Sequence, residues 1–381
     1  MSLYDQPFAA HEYGPRKPLD VPPSVVSRRS RVLGAFLGGA VGDALGGPLE
    51  FRTRKEITAE FGADGLHDFI PLHGTLGAIT DDTQLTLFTA EALLRVRVQS
   101  HNYRQSYPPL IIRNAYRRWL LTQRHIGPLP AHLETARGWL LDVPELWVER
   151  SPDRTVLTAL KKRALGTPED RINDSRSSMC LVRATPAGML TNDSPFRLGS
   201  EVAAITHGHP TSYVAAGVLA EIVFNLMGGV SIRDAITVAT ARAQPVLGQR
   251  QVCEWVWLAV KRADEVRYAG VTPSWYDVEQ IGSGRMVHEA LALGLFCAMC
   301  HPEPTADAFE AAVCLAVNHS GDSDTVGALT GQLLGLIHGH EIIPPRWLEQ
   351  LELREVITRM AEDVAIEHQD GTEWKALHPP V

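Results

Sequence analysis

Apolar residues recur along most of the chain at spacings of three and four, the pattern of helices that bury one face. Alternating patterns typical of strands are scarce, and clusters of proline and glycine separate the periodic segments. The chain is therefore expected to fold as an all-α protein, a single large helical globule over residues 31–366. The predicted helices cover residues 32–46, 82–98, 109–122, 155–165, 200–206, 211–227, 231–242, 251–263, 286–300, 306–318, 325–339 and 346–365.

The two ends of the chain differ from this pattern. Residues 1–30 contain repeated prolines and scattered aromatic residues, which predict an extended arm. Such an arm could be a loosely docked tail or a segment that binds a partner protein through its aromatic side chains. Residues 367–381 are assigned to a C-terminal tail.

Glycine recurs every four residues in two of the predicted helices, at Gly34, Gly38, Gly42 and Gly46, and at Gly327, Gly331, Gly335 and Gly339. Residues four apart lie on one helix face, so each row forms a stripe without side chains. Each glycine in a helix interior costs about 1 kcal/mol relative to alanine. The stripes therefore indicate a close approach to the backbone, by another helix or, less favoured, by a ligand.

Composition narrows the functional classes. The formal net charge is −8 and the sequence pI about 6.0, which argues against a general nucleic-acid binder. The sequence contains no run of about 18 uninterrupted apolar residues and no secretory signal pattern. Its five cysteines, an odd number, are typical of reduced thiols. We expect a cytoplasmic protein without membrane or nucleic-acid partners.

Two acidic, hydroxyl-rich segments carry the candidate chemistry: Thr80-Asp81-Asp82-Thr83 and Gly321-Asp322-Ser323-Asp324-Thr325. Each precedes an apolar helical run, so capping of a helix N-terminus is one interpretation. Capping uses only one or two of these residues. If the fold brings the segments together, their oxygen atoms could surround hard divalent cations and support metal-assisted hydrolysis.

Further motifs occur in a fixed order around these segments. They are Gly34–Gly46 followed by Glu50, Thr80–Thr83, Arg183–Gly188, Thr206-His207, Gly282–Gly284 with Glu289–Leu291, and Asn318–Thr325. Together they resemble the ADP-ribosylglycohydrolase family over residues 31–340. The resemblance implies an all-α globule with two Mg²⁺ or Mn²⁺ ions in a central cleft. It also implies removal of ADP-ribose from an ADP-ribosylated protein, with arginine as the favoured side chain.

The resemblance assigns roles to individual residues. The implied metal ligands are Thr80, Asp81, Asp82, Asp322, Asp324 and Thr325. The implied catalytic residues are Glu50, Asp81 and Asp324, with Glu50 as the acid/base near the scissile bond. The implied substrate-binding residues are Asn318, Gly321, Ser323 and His207. A hydrogen-bonded structural role is the alternative for His207. Where the family usually has a glycine-rich loop, this chain has Arg176–Cys180 without glycine.

Two other functions compete with hydrolysis of protein-linked ADP-ribose. The chain could be an inhibitory or binding protein whose arm, residues 1–30, docks on an ADP-ribosyltransferase, with or without hydrolase activity. A metal-dependent phosphohydrolase acting on another nucleotide is the weaker alternative.

Overall fold

The computed structural model describes residues 26–103, 106–123, 138–191 and 194–379. Across these ranges the chain forms 17 α-helices, six short 3₁₀ helices and no strand. The predicted all-α class is confirmed. Most of the predicted N-terminal arm lies outside the described residues, and helix α1 begins at Arg28, within its last three positions.

The helices follow one another in this order: α1 Arg28–Gly46, α2 Arg54–Phe61, α3 Asp81–Tyr103, α4 Pro108–Thr122, α5 Arg154–Lys161, α6 Thr185–Met189, α7 Pro195–Ala204, α8 Pro210–Met227, α9 Ile232–Ala243, α10 Gln249–Ala269, α11 Trp275–Glu279, α12 Val287–Cys300, α13 Ala306–Val317, α14 Ser323–His338, α15 Pro345–Gln350, α16 Arg354–Ile366 and α17 Thr372–Leu377.

Hydrophobic spacing located the long helices but not every break. The helix predicted over residues 346–365 is two helices, α15 and α16, because Leu353 between them has a left-handed backbone with φ of 58°. The short helices α2, α11 and α17 were not predicted, since five to eight residues are too few to establish a period.

The two glycine stripes face each other. Helices α1 and α14 run antiparallel, and their facing pairs are Gly34 with Gly335, Gly38 with Gly331, and Gly42 with Gly327. A Cβ atom on Gly38 would lie 2.6 Å from the carbonyl oxygen of Gly331. We call this contact the glycine seam. The prediction that another helix approaches each stripe is therefore confirmed.

The register of the glycine seam brings the end of α1 to the start of α14. A Cβ atom on Gly46 would run into the backbone of Ser323 and Asp324. Immediately after Gly46, a 3₁₀ helix over Gly47–Leu49 leads to Glu50. The seam thus places Glu50 beside the acidic segment that opens α14.

Among the described residues, two helices are long and apolar enough to cross a membrane by length and composition alone. These segments are Arg28–Leu49 and Pro210–Met227, and they are 94% and 89% buried inside the protein. Burial of this extent is typical of core helices, whose apolar surface is covered by other helices. Interior packing accounts for their composition.

The last described residues also pack onto the globule. In α17, Trp374 is buried, and the following His378 is buried with its Nε2 3.0 Å from Asp363 Oδ2 in α16. The segment assigned to a tail therefore contains a helix, and the residue that follows this helix contacts α16.

We expect Gly38→Ala to lower the free energy of unfolding by roughly 2–3 kcal/mol, because the added methyl group would overlap the α14 backbone. Gly228→Ala is the matched control. Gly228 has a negative φ of −77°, and the nearest of the atoms that its Cβ would meet is 3.3 Å away. Urea denaturation measures both. Equal, small effects would show that the glycine seam tolerates side chains.

Candidate metal centre

Helix α3 is capped by a side chain from another helix. The carboxylate of Asp43, in α1, accepts hydrogen bonds from Thr80 N at 3.0 Å, Thr80 Oγ1 at 2.6 Å and Thr83 N at 3.3 Å, and one from Thr83 Oγ1. Free N–H groups at a helix start usually find a local cap. Here the cap fixes the α3 N-terminus to α1 and engages the two threonines of the acidic segment.

The front and back acidic segments meet directly. Thr325 Oγ1, in the first turn of α14, donates a hydrogen bond of 2.8 Å to Asp82 Oδ2, in the first turn of α3. Both residues are buried. The spatial convergence on which the sequence-based metal hypothesis depends is therefore present.

Asp81 lies at the same helix start and contacts a third segment. Its backbone N–H donates to Arg150 O at 3.0 Å, and its Oδ2 accepts from Asp153 N at 3.1 Å. Asp153 in turn caps α5, with Oδ1 accepting from Val156 N at 2.9 Å. The loop before α5 thus holds Asp81 in place and adds a further carboxylate nearby.

Glu50, Asp322 and Asp324 form a compact carboxylate group. One oxygen from each lies within 4.8 Å of the other two. Asp322 also accepts a hydrogen bond from Ser178 Oγ through its Oδ2. Ser178 belongs to the glycine-free segment Arg176–Cys180, so a serine hydroxyl in this segment orients one of the candidate ligands.

The position of Glu50 depends on the residue that follows it. Phe51 has a left-handed backbone with φ of 63°, which is strained for a residue other than glycine. Its N–H donates to Gly321 O at 3.0 Å. This hydrogen bond ties the end of the first 3₁₀ helix to the loop before α14 and keeps Glu50 against Asp322 and Asp324.

Two buried carboxylate oxygens in this centre lack hydrogen-bond donors. Asp82 Oδ1 and Asp322 Oδ1 have no partner among the residues that the structure describes. Buried acceptors without donors are costly, and hard divalent cations favour carboxylate and hydroxyl oxygens as ligands. The donor set therefore fits Mg²⁺ or Mn²⁺, with Asp81, Asp82, Asp322, Asp324, Glu50 and Thr325 as the available oxygen donors.

Burial and mutual repulsion raise the pKa values of these carboxyl groups. Burial raises the pKa of Glu50 to about 8, and the charges of Asp322, Asp43 and Asp153 add to the effect. The pKa values of Asp81, Asp82 and Asp324 lie well above their usual range, chiefly through burial and then through neighbouring carboxylates. Without a cation the centre therefore retains protons that a bound cation would displace.

Three of the residues predicted to bind substrate already contact other parts of the protein. The amide of Asn318 is bound to Leu66 N and O at 2.7 and 2.9 Å and to Cys314 O at 2.9 Å. Gly321 packs against Ser283 O, and Ser323 is buried beside His319 O. Their backbone groups lie next to the centre, whereas the Asn318 side chain joins two loops.

His207 is hydrogen-bonded through both ring nitrogens. Nδ1 lies 2.8 Å from Thr206 Oγ1 and Nε2 lies 2.7 Å from Ser177 Oγ. Burial and the nearby Arg183 lower the pKa of His207 well below its usual range. The geometry matches the structural alternative, in which His207 holds the Ser177-Ser178 segment against Asp322. Contact with substrate stays a prediction.

Sequence reasoning assigned no role to Asp43, Asp153 or Ser178. Asp43 carried a usable signal, since it is the only charged residue in the glycine-rich run Leu33–Leu49. Asp153 and Ser178 lie in irregular segments, where the sequence offers no periodicity that would place them. Their approach to Asp81 and Asp322 is visible only in the folded chain.

A helical globule whose interior holds five clustered acidic side chains, with two carboxylate oxygens that lack partners among the described residues, defines a class of candidate metal-dependent proteins. Comparison of the sequence with models of known protein families identifies the family. Residues 24–373 match the model of the family described as ADP-ribosylglycohydrolase. The chain therefore belongs to the ADP-ribosylglycohydrolase family.

Named relatives agree with this membership. The chain is 27% identical over 335 residues to the ADP-ribosyl-[dinitrogen reductase] glycohydrolase of Rhodospirillum rubrum, covering 86% of this chain and 92% of the relative. It is 24% identical over 353 residues to the ADP-ribosylarginine hydrolase Tri1 of Serratia proteamaculans, covering 91% and 82%. A solved chain titled ADP-ribosylglycohydrolase-related protein complex shares the fold, with a TM-score of 0.56, 24% identity and coverage of 90% and 99%.

We expect Asp43→Ala to destabilise the protein by roughly 2–4 kcal/mol, because it leaves buried donors at the start of α3 unsatisfied. It should also weaken Mg²⁺ binding, since Asp81 and Asp82 lose their fixed position. Ser231→Ala removes an ordinary local cap of α9 and serves as control, with an expected loss of about 1 kcal/mol and unchanged Mg²⁺ binding. Thermal unfolding and calorimetric titration measure both effects.

The raised pKa of Glu50 predicts a pH dependence. Between its ordinary value of 4.5 and its folded value of about 8, the folded state holds a proton that the unfolded chain releases. This group therefore makes the metal-free protein less stable as pH rises through that range.

Mg²⁺ should bind more tightly at pH 8 than at pH 6, and its binding should release protons. Calorimetry in buffers of different ionisation enthalpy measures that release. Glu50→Gln should reduce the release; no proton release would contradict the pKa assignment.

Proposed function

We propose that this protein hydrolyses the bond between ADP-ribose and an arginine side chain of an ADP-ribosylated protein, with two divalent cations, Mg²⁺ or Mn²⁺. The supporting observation is the meeting of the α1, α3 and α14 ends, where buried carboxylates include two oxygens without donors. The relatives named for glycohydrolase and ADP-ribosylarginine hydrolase activity support the choice of reaction and of arginine.

The centre divides into ligands and a candidate acid/base. The proposed ligands are Thr80, Asp81, Asp82, Asp322, Asp324 and Thr325. Of these, Thr80 Oγ1 already donates to Asp43, so it would act through a remaining lone pair. The bound cations would supply Lewis acidity and fixed positions for the ribose hydroxyl groups.

Glu50 differs from the other carboxyl groups because it is only half-buried, at the edge of the centre. Hydrolysis forms a bond between the anomeric carbon and a water oxygen and breaks the bond to the guanidine nitrogen. One proton of the water must reach that nitrogen. Glu50 is the carboxyl group placed to take up and deliver that proton. Burial raises its pKa to about 8 in the cation-free centre, and bound cations would bring that pKa down toward its ordinary range.

The acidic net charge of −8 is compatible with an anionic ligand. Cations bound among the carboxylates, together with backbone N–H groups at the starts of α3 and α14, would give a local positive potential. The diphosphate of ADP-ribose is therefore proposed to bind beside these helix ends.

We expect Glu50→Gln and Asp324→Ala to lower kcat for release of ADP-ribose from ADP-ribosylarginine by roughly 10²-fold or more. Asp324→Ala should also abolish activation by Mg²⁺, whereas Glu50→Gln should retain Mg²⁺ binding within a few fold. Glu254→Gln, an exposed change in α10, is the control. Product chromatography on arginine-, serine- and acetate-linked ADP-ribose identifies the acceptor.

Full activity of both variants in the presence of a chelator would contradict the proposal. Release of inorganic phosphate would favour a phosphohydrolase.

A further inference from the structure

A second group of metal-type ligands lies where the last turn of α3 meets the turn after α16. His101, His368 and Asp370 each contribute one ligand atom, and these three atoms lie within 4.8 Å of one another. Asp81 begins α3 and His101 lies 20 positions further along it, about 30 Å at 1.5 Å per residue. This group is therefore separate from the carboxylate centre.

The distances within the group are close to those of a coordination shell. His368 Nε2 lies 3.4 Å and His101 Nε2 lies 3.8 Å from Asp370 Oδ1, and the imidazole centroids are 4.4 Å apart. A tetrahedral zinc ion with ligands at about 2.0–2.1 Å separates those ligands by roughly 3.3 Å. The two distances to Asp370 Oδ1 are close to this separation, and the ligand atoms of the two imidazoles lie within 4.8 Å of each other.

The turn that carries His368 is anchored by its neighbours. Glu367 has a left-handed backbone with φ of 66°, and its N–H donates to Asp363 O at 3.0 Å. The Glu367 carboxylate forms ion pairs with Arg28 and Arg97. These contacts hold an otherwise strained turn, so His368 is presented to α3 in a fixed position.

The exposure of the three side chains leaves room for a further ligand. The His368 side chain is 19% exposed, and its Nδ1 is buried without a hydrogen-bond partner in the described ranges. The side chains of His101 and Asp370 are 59% and 88% exposed. Water can therefore reach the open side of the group.

We propose that His101, His368 and Asp370 bind one late divalent transition-metal ion, of which Zn²⁺ is the best fit, with water as the fourth ligand. Two imidazoles and one carboxylate favour Zn²⁺ over Mg²⁺, which prefers oxygen ligands. The bound ion connects the end of α3 to the segment between α16 and α17. It thereby stabilises the C-terminal part of the chain.

Zinc titration of the full chain in excess Mg²⁺ tests this site. We expect one Zn²⁺ per chain, with affinity reduced at least tenfold in His101→Gln and in Asp370→Asn. Co²⁺ should give the visible absorption bands of a tetrahedral site in the parent protein and not in these variants. His340→Gln is the matched control, since His340 pairs with Glu341 at 3.3 Å and belongs to no three-ligand group in the residues described.

Two further measurements separate this site from the carboxylate centre. In an Asp324→Asn background the Zn²⁺ stoichiometry and the Co²⁺ bands should persist, whatever happens to hydrolysis. Zn²⁺ should raise Tm by roughly 2–4 °C in the parent protein and not in His101→Gln. Zn²⁺ affinity that is equal in His101→Gln, Asp370→Asn and His340→Gln would overturn the proposal. So would loss of all Zn²⁺ binding in the Asp324→Asn background.

Discussion

The close contact between α1 and α14 is the constraint on which the site depends. Side-chain-free faces let the two backbones touch at Gly38 and Gly331, so no layer of side chains can slide or tilt between them. The antiparallel register then fixes which residues meet beyond the seam. Gly46 abuts the first turn of α14, and Glu50 follows four residues later. The helical cost of so many glycines, about 1 kcal/mol each, is offset by close packing and by a defined position for the acidic residues.

The second constraint is electrostatic. Buried carboxylates at the starts of α3 and α14 repel one another, and burial raises the pKa values of Asp81, Asp82 and Asp324. Hydrogen bonds relieve only part of this cost, as in the contact of Thr325 with Asp82. The metal-free centre is therefore held together by the surrounding helices rather than by its own interactions. Bound cations would neutralise this repulsion and stabilise the folded centre. This is the physical reason for proposing a metal-dependent function.

The sequence predicted the long helices and the close approach to each glycine stripe, and it singled out the two acidic segments that meet in the fold. It could not predict that the stripes face each other, because the spacing of residues shows which face of a helix is packed but not which helix packs against it. The cap formed by Asp43 was missed for the same reason, since it joins residues from different helices. Asn318 and His207 illustrate the limit of resemblance. Their side chains make strong contacts within the protein, whereas a shared motif only implies that they lie near substrate.

The proposed function makes cation binding and ADP-ribose binding interdependent. Both ADP-ribose and the cation-free centre are acidic, so each would disfavour the other without a positive charge between them. If cations bound between Asp82 and Asp322 strengthen binding of the diphosphate by some factor, the ligand must strengthen cation binding by the same factor. The reciprocity is a thermodynamic requirement and holds whichever binds first. A half-buried Glu50 at the edge of the centre belongs to the same balance, because each bound cation lowers the tendency of that carboxyl group to keep its proton.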